Sequence, residues 1–227
     1  MRLAPGTRLG AYAVTASVGE RDKGDDAECS GEVFGASSRN NILQLQVFNQ
    51  SPCVGCDVSC CKEYVVQLNA HDLYRLSASV ELPVGKYIEL RRTKDRGGVL
   101  LEDSAIVHFY ELTLAHGPRG CVFLEQKGRQ LECGVHASKP GVCLGYPFTL
   151  NRGRIVQITE KLCPVDWELD REVERQVSGV IKEFRDEWFV YEDLVSEWNS
   201  GSRLDRSLSA FVTFAVVWVK QLGPVAP

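Results

Sequence analysis

The sequence predicts an α+β fold, in which a small, irregular unit of strands and loops packs against a C-terminal layer of helices. Three observations lead to this prediction. Short strand-like runs separated by turns fill the middle of the chain, eight of the nine cysteines lie among them, and apolar residues recur at threes and fours through the last third. With 227 residues, 44% of them hydrophobic, the chain is long enough to fill a core of its own.

Composition changes along the chain and predicts three regions. Residues 1–45 are rich in Gly, Ser, Asp and Asn, and we expect a variable extension with short strands at 9–17 and 42–48. Residues 46–165 carry the cysteine cluster and are expected to form one domain. Residues 166–227 are expected to form a helical region that packs on it.

The middle of the chain predicts short strands and one helix. We expect Asn69 to cap that helix, with Asp72 three residues further on. A turn at 126–129 predicts a hairpin whose arms carry Cys121 and Cys133, which would bring two sulfurs together. The expected strands are 64–68, 87–92, 106–112, 121–124, 131–135 and 155–159.

The last third predicts two amphipathic helices. The first covers 169–198, with Gly179 as a place where it could bend, and the second runs from Leu204 to Leu222 before Gly223 and Pro224 stop it. We expect both apolar stripes to be buried in the core.

Charge and hydropathy exclude two classes of partner. The net charge is −4 with both signs interspersed, which does not fit a nucleic-acid-binding surface. The longest apolar run, 210–219, is about half of a membrane span, and residues 1–20 lack the apolar stretch of a signal peptide. We therefore expect a cytoplasmic protein, in whose compartment thiols stay reduced and act as metal ligands.

Four cysteines fall within nine residues, and four more follow singly. A bound metal explains this density best, because reduced thiols so close together would otherwise oxidise or repel one another as they ionise. Thiolates suit zinc or an iron–sulfur cluster and exclude magnesium and calcium, and the dense first cluster favours iron, with zinc as the alternative. The predicted ligands are Cys53, Cys56, Cys60, Cys61, Cys121, Cys133, Cys143 and Cys163.

These motifs resemble the YkgJ-type CxxCxxCC family, whose domain is described as chelating zinc or iron. The similarity covers roughly residues 50–165. The chain departs from the family at two places: its first cluster has one extra residue, and it has Lys139-Pro-x-x-Cys143-Leu144 where the family has arginines. The matching motifs are Cys53-Val-Gly-Cys56-x-x-x-Cys60-Cys61, Asp72 with Arg75-Leu76, Gly120-Cys121-x-Phe123-Leu124, Gly128-Arg129, Cys133, Tyr146-Pro147-Phe148 and Cys163-Pro164.

The sequence leaves the grouping of these sulfurs open. Cys60 and Cys61 would point to opposite sides of an extended segment, so eight thiols form either two sites or one site with spare thiols. The cations expected to offset thiolate charge are Lys62, Arg119 and Lys139. His136 is a further candidate ligand because it stands three residues after Cys133. Cys29 lies outside the matching motifs and is expected to be a free thiol.

Three functions fit these expectations. One is an iron or iron–sulfur protein that supports redox or group-transfer chemistry, although the chain lacks a glycine-rich cosubstrate motif and no catalytic residue can be named. Another is a zinc-stabilised module whose helical region contacts a protein partner. A third is a storage or delivery protein with an exchangeable metal.

Overall fold

A computed structural model describes residues 60–103, 105–128, 130–158, 161–162, 169 and 171–222, together with strand residues 8–9 and 12–13. The helices are α1 (Cys60–Glu63), α2 (Ala70–Ser79), α3 (Val84–Tyr87), α4 (Gly141–Gly145), α5 (Arg171–Ser200) and α6 (Leu208–Leu222), with a 3-10 turn at His136–Ser138. The strands are β1 (Arg8–Leu9), β2 (Tyr12–Ala13), β3 (Val65–Val66), β4 (Ile88–Arg92), β5 (Val99–Asp103), β6 (Ile106–Leu114), β7 (His116–Gly117), β8 (Gly120–Cys121), β9 (Leu124–Lys127), β10 (Gln130–Cys133), β11 (Phe148–Asn151) and β12 (Arg154–Gln157). This combination of small antiparallel sheets and C-terminal helices confirms the α+β prediction.

The central sheet has the order β4-β6-β5, and both of its pairings are antiparallel. Helices α2, α5 and α6 pack with it around the main core, whose members include Leu73, Leu112 and Trp198. A smaller core forms where the β11–β12 hairpin packs on the first half of α5, through residues such as Phe148 and Val177. Most apolar side chains of the two long helices therefore lie inside, as their periodicity predicts, whereas Leu222 at the end of α6 is exposed.

The end of α5 covers the edge strand β5. The Asn199 side chain accepts a hydrogen bond from the Leu100 N–H at 2.8 Å and donates one to the Gly98 carbonyl at 2.9 Å. The Trp198 indole N–H donates to the Leu100 carbonyl at 2.9 Å. These bonds satisfy backbone groups that an edge strand would otherwise leave open.

Several local predictions are confirmed, with adjusted bounds. Asn69 caps α2 in a capping box, in which its side chain accepts from the Asp72 N–H and the Asp72 carboxylate accepts from the Asn69 N–H. Helix α5 continues unbroken through Gly179. The predicted strand at 9–17 overlaps β1 and β2, which pair with β3, whereas the strand predicted at 42–48 lies outside the described residues.

Three local predictions differ from the structure. The strand expected at 121–124 is divided between β8 and β9 by a two-residue turn, and the strands β5 and β11 were not expected. Leu204 was placed in an apolar helical stripe, but it precedes α6 and is fully exposed. The helix begins later because the Ser207 hydroxyl accepts a hydrogen bond from the Ala210 N–H, as an N-cap residue does.

Within the described residues, no helix combines the length and apolar character needed to cross a membrane.

Candidate metal centre

Cys60 and Cys61 lie on a helix, and the expectation of an extended segment there is wrong. They form the first turn of α1, and the Tyr64 N–H donates to the Cys60 carbonyl at 2.9 Å as that helix ends. Neighbouring side chains on a helix diverge by about 100°, so the two thiols point in different directions without being opposed. The ring of Tyr64 packs edge-on against Tyr146 at 5.4 Å, which ties α1 to the segment after α4.

Gly120 allows strand β8 to lie directly on α1. Its φ of 108° is in a region that side chains rarely adopt. A methyl group at this position would lie 2.6 Å from the carbonyl oxygen of Cys61 and 2.6 Å from the Cα of Lys62. The absence of a side chain therefore places Cys121 next to the turn that carries Cys61.

The predicted hairpin is confirmed and carries Cys133. Strands β9 and β10 pair antiparallel with Cys133 opposite Leu124, and Gly128 has a φ of 64° at the turn. The Gly134 N–H donates to the Phe123 carbonyl at 2.8 Å, which extends the pairing towards Cys121. Cys121 itself lies on β8, just before the arm in which it was expected.

Helix α4 supplies Cys143. It packs on α5 through Gly141 and Gly145, where a methyl group would lie 2.5 Å from the Phe184 ring and 3.3 Å from Ile181, respectively. After α4, the Tyr146 hydroxyl accepts a hydrogen bond from the Leu162 N–H at 2.9 Å. The chain that leads to Cys163 is therefore attached close to α4.

Four thiols from these elements interact electrostatically. Burial, followed by the thiols of Cys61 and Cys133, raises the pKa of Cys121 to about 12, while the Phe123 N–H acts in the opposite direction. Burial also raises the pKa of Cys143 well above its usual value, with further contributions from Cys61, Cys121 and Cys133. Cys143 thus lies within range of the charge of the other three thiols, and Cys121 lies within range of Cys61 and Cys133 as well.

The donors in this group fit a soft metal, although their arrangement is incomplete. In the described part of the chain, no group of three or more Cys, His, Asp or Glu side chains is already placed to hold a metal ion. The ring Nε2 of His116, a residue that pairs across strands with Cys121, is buried and lacks a hydrogen-bond partner among the described residues. Cys53, Cys56, Cys163 and Cys29 lie outside those residues. Cys60 is partly exposed.

The predicted cations and His136 differ in how they relate to the thiols. Lys139 acts on Cys143 as expected, because its charge opposes the rise in the pKa of that thiol. Lys62 and Arg119 are exposed beside the thiol-bearing elements. His136 lies on the 3-10 turn, where partial burial of its ring, followed by the charge of Lys139, lowers its pKa.

A buried polar network next to Cys143 was not expected from the sequence. Asp72, Arg75, Asn69 and Glu187 form it between α2 and α5, and the Gly141 N–H at the start of α4 donates to Asp72. The spacing of three between Asn69, Asp72 and Arg75 was a signal in the sequence that polar residues lie together on α2. Nothing local indicated Glu187, which is more than a hundred residues away in the chain.

A family model matches the part of the chain that carries these thiols. Residues 52–164 match the family model described as "CxxCxxCC: Putative zinc- or iron-chelating domain". Neither a curated protein nor a solved structure matches the chain. Through residues 52–164, the chain belongs to the CxxCxxCC family.

Proposed function

We propose that the protein binds iron, as an iron–sulfur cluster or as the ion, through the thiolates of Cys61, Cys121, Cys133 and Cys143. The observation that carries the proposal is the electrostatic coupling of these four thiols, which come from α1, β8, β10 and α4. The close approach at Gly120, the β9–β10 hairpin and the packing of α4 on α5 support a common site for these residues, which are remote in sequence. Cys53, Cys56, Cys60 and Cys163 complete the predicted ligand set within a metal-binding region of residues 46–165.

The environment of the thiols also supports metal binding. Burial penalises the thiolate in the absence of a cation, as the raised pKa values of Cys121 and Cys143 indicate. A bound cation removes that penalty by replacing the protons, and the Phe123 N–H then donates to a sulfur that carries charge. The sulfurs draw together on binding, because metal coordination and local folding are coupled.

The size of the apolar core favours a functional metal over one that only holds the fold together. The core contains the large buried side chains of Tyr87, Tyr110, Trp198 and Phe211, which pack in one cluster of apolar residues. An iron–sulfur cluster supplies electron transfer when bound. The chain's part is to hold the thiolates, exclude water around Cys121 and place Lys139 near Cys143. Reduced thiols require a reducing compartment, so the proposal includes a cytoplasmic location.

Zinc is the second candidate, because the family description names both metals. Four thiolates close a tetrahedral zinc site, which would make the protein an interaction module without catalysis. A protein partner would then contact the helical region, where Phe189, Val217 and Leu222 are exposed.

Purification without oxygen tests the proposal. We expect a brown protein with broad visible absorption, about four irons and about four sulfides per cluster. Cys61→Ser and Cys143→Ser should lose the metal, whereas Cys29→Ser, outside the matched residues, is the control that should keep it. A colourless protein with stoichiometric zinc would reverse the choice of metal, and a protein that binds neither metal would refute the proposal.

A further inference from the structure

The carboxylate of Asp72 is fully buried and accepts three hydrogen bonds. One oxygen accepts from the Gly141 N–H at 2.8 Å and from the Arg75 guanidinium at 2.6 Å, and the other accepts from the Asn69 N–H at 3.1 Å. Only one of these bonds is needed to complete the capping box of α2. The bond to Gly141 reaches 69 residues along the chain, to the helix that carries Cys143.

The same carboxylate is connected to α5. Arg75 forms a bidentate pair with Glu187, with nitrogen–oxygen distances of 2.5 and 3.0 Å, and the Asn69 amide donates to Glu187 at 3.1 Å. Glu187 is 4% exposed, so water competes little for these bonds. Such bidentate, charge-assisted bonds are directional and fix the orientation of the groups they join.

Helix α4 is hydrogen-bonded to this network at its first residue, Gly141. Its N-cap is Pro140, which makes no side-chain capping bond, so Asp72 provides an acceptor that the local sequence lacks. The Cys143 N–H donates to the Pro140 carbonyl at 2.9 Å, which links the cysteine to the anchored turn. The neighbouring Val142 is 3% exposed in the core, so the thiol is carried on a segment held from two sides.

We infer that Asp72 is a positioning residue for the metal centre: through the Gly141 N–H it fixes the direction of the Cys143 thiol, while Arg75 and Glu187 hold Asp72 against α5. The inference rests on the proposed function and assigns a role to a residue that does not itself contact the metal. Groups that orient ligands without binding the metal affect its affinity because they set the ligand geometry in advance.

Asp72→Asn is the test, because it preserves shape and leaves a single acceptor oxygen. Its amide nitrogen then faces backbone or guanidinium donors, and the anchor on α4 weakens. The matched control is Asn199→Ala, which also removes partly buried hydrogen bonds but at the edge formed by β5 and the preceding Gly98, which carries no cysteine. Both full-length variants and the wild type are titrated with Co(II) and Zn(II), and unfolding by urea reports their stability.

We expect Asp72→Asn to weaken Co(II) binding about tenfold or more and to change the sulfur-to-cobalt absorption bands. Asn199→Ala should lose stability and keep both the affinity and the spectrum. Equal affinities and spectra for Asp72→Asn and the wild type would overturn the inference and leave the proposed function standing. A wild-type chain that binds neither metal would overturn both.

If the Asp72→Asn protein does not fold, Glu187→Gln is titrated in its place. It keeps the Asp72 carboxylate and weakens the bonds that Glu187 accepts from Arg75 and Asn69, so a loss of about threefold or more in Co(II) affinity is expected. Wild-type affinity and spectrum in a folded Glu187→Gln protein would overturn the inference.

Discussion

Gly120→Ala should abolish tight metal binding by moving two thiols apart. Carbon atoms that do not bond approach to roughly 3.5 Å, whereas the new methyl group would lie 2.6 Å from the Lys62 Cα. Strand β8 must therefore retreat from α1 by about 0.9 Å if the helix stays in place. Metal–sulfur distances tolerate only about 0.2 Å, so Cys121 and Cys61 can no longer reach one centre.

The φ of 108° adds backbone strain of about 1–3 kcal/mol, which a control must separate from the steric effect. Gly153→Ala provides it, because Gly153 also has a positive φ, of 79°, but a methyl group there meets nothing within 4 Å. Gly153 lies in the β11–β12 turn, on a hairpin that carries no cysteine.

Competition with a coloured chelator, on protein prepared without oxygen, measures the outcome. We expect Gly120→Ala to bind iron or zinc at least about a hundredfold more weakly, since each tenfold step is only about 1.4 kcal/mol. Gly153→Ala should lower stability and retain the metal. Wild-type affinity in a folded Gly120→Ala protein would refute the reasoning that Gly120 brings the thiols together.

Three other predictions follow from the same contacts. Between about pH 6 and pH 8, metal affinity should rise about tenfold per pH unit for each thiol proton displaced, because the pKa of Cys121 is raised to about 12 and protons compete below it; a pH-independent affinity in chelator titrations would contradict this. Asn199→Ala should lower the free energy of unfolding of the metal-free protein in urea by about 2 kcal/mol, because the Leu100 N–H and the Gly98 carbonyl lose their hydrogen-bond partner. An unchanged free energy of unfolding would show that water replaces the Asn199 side chain at both groups. Gly141→Ala should lower the unfolding temperature, because the added methyl group would lie 2.5 Å from the Phe184 ring, and Phe184→Leu in the same chain should recover part of the loss; additive effects in calorimetry would contradict a direct clash.

Local chemistry explains which parts of the fold could be predicted. The capping box at Asn69 and the hairpin turn at Gly128 depend on residues close in sequence, and both were predicted correctly. Strand β5 was missed because the hydrogen bonds on its outer edge come from Trp198, Asn199 and Arg206, about a hundred residues later in the chain. The helix at Cys60 was missed because four residues give too short a pattern to distinguish from an extended loop.

The candidate site could be predicted as a set of residue types but not as a geometry. Cysteine spacing and family motifs predict the ligand set, and the family model matches the region that contains it. The roles of Gly120 and Asp72 are contacts across 59 and 69 residues, between Gly120 and Cys61 and between Asp72 and Gly141. No periodicity or spacing along the chain encodes a contact of that kind.

X-ray absorption at the edge of the bound metal, on protein purified without oxygen, tests the central claim most directly. The account predicts a first shell of sulfur atoms alone at about 2.3 Å, which is lost when Cys61 and Cys143 are both replaced by serine. A first shell of oxygen and nitrogen, or a sulfur shell that survives this double replacement unchanged, would contradict it.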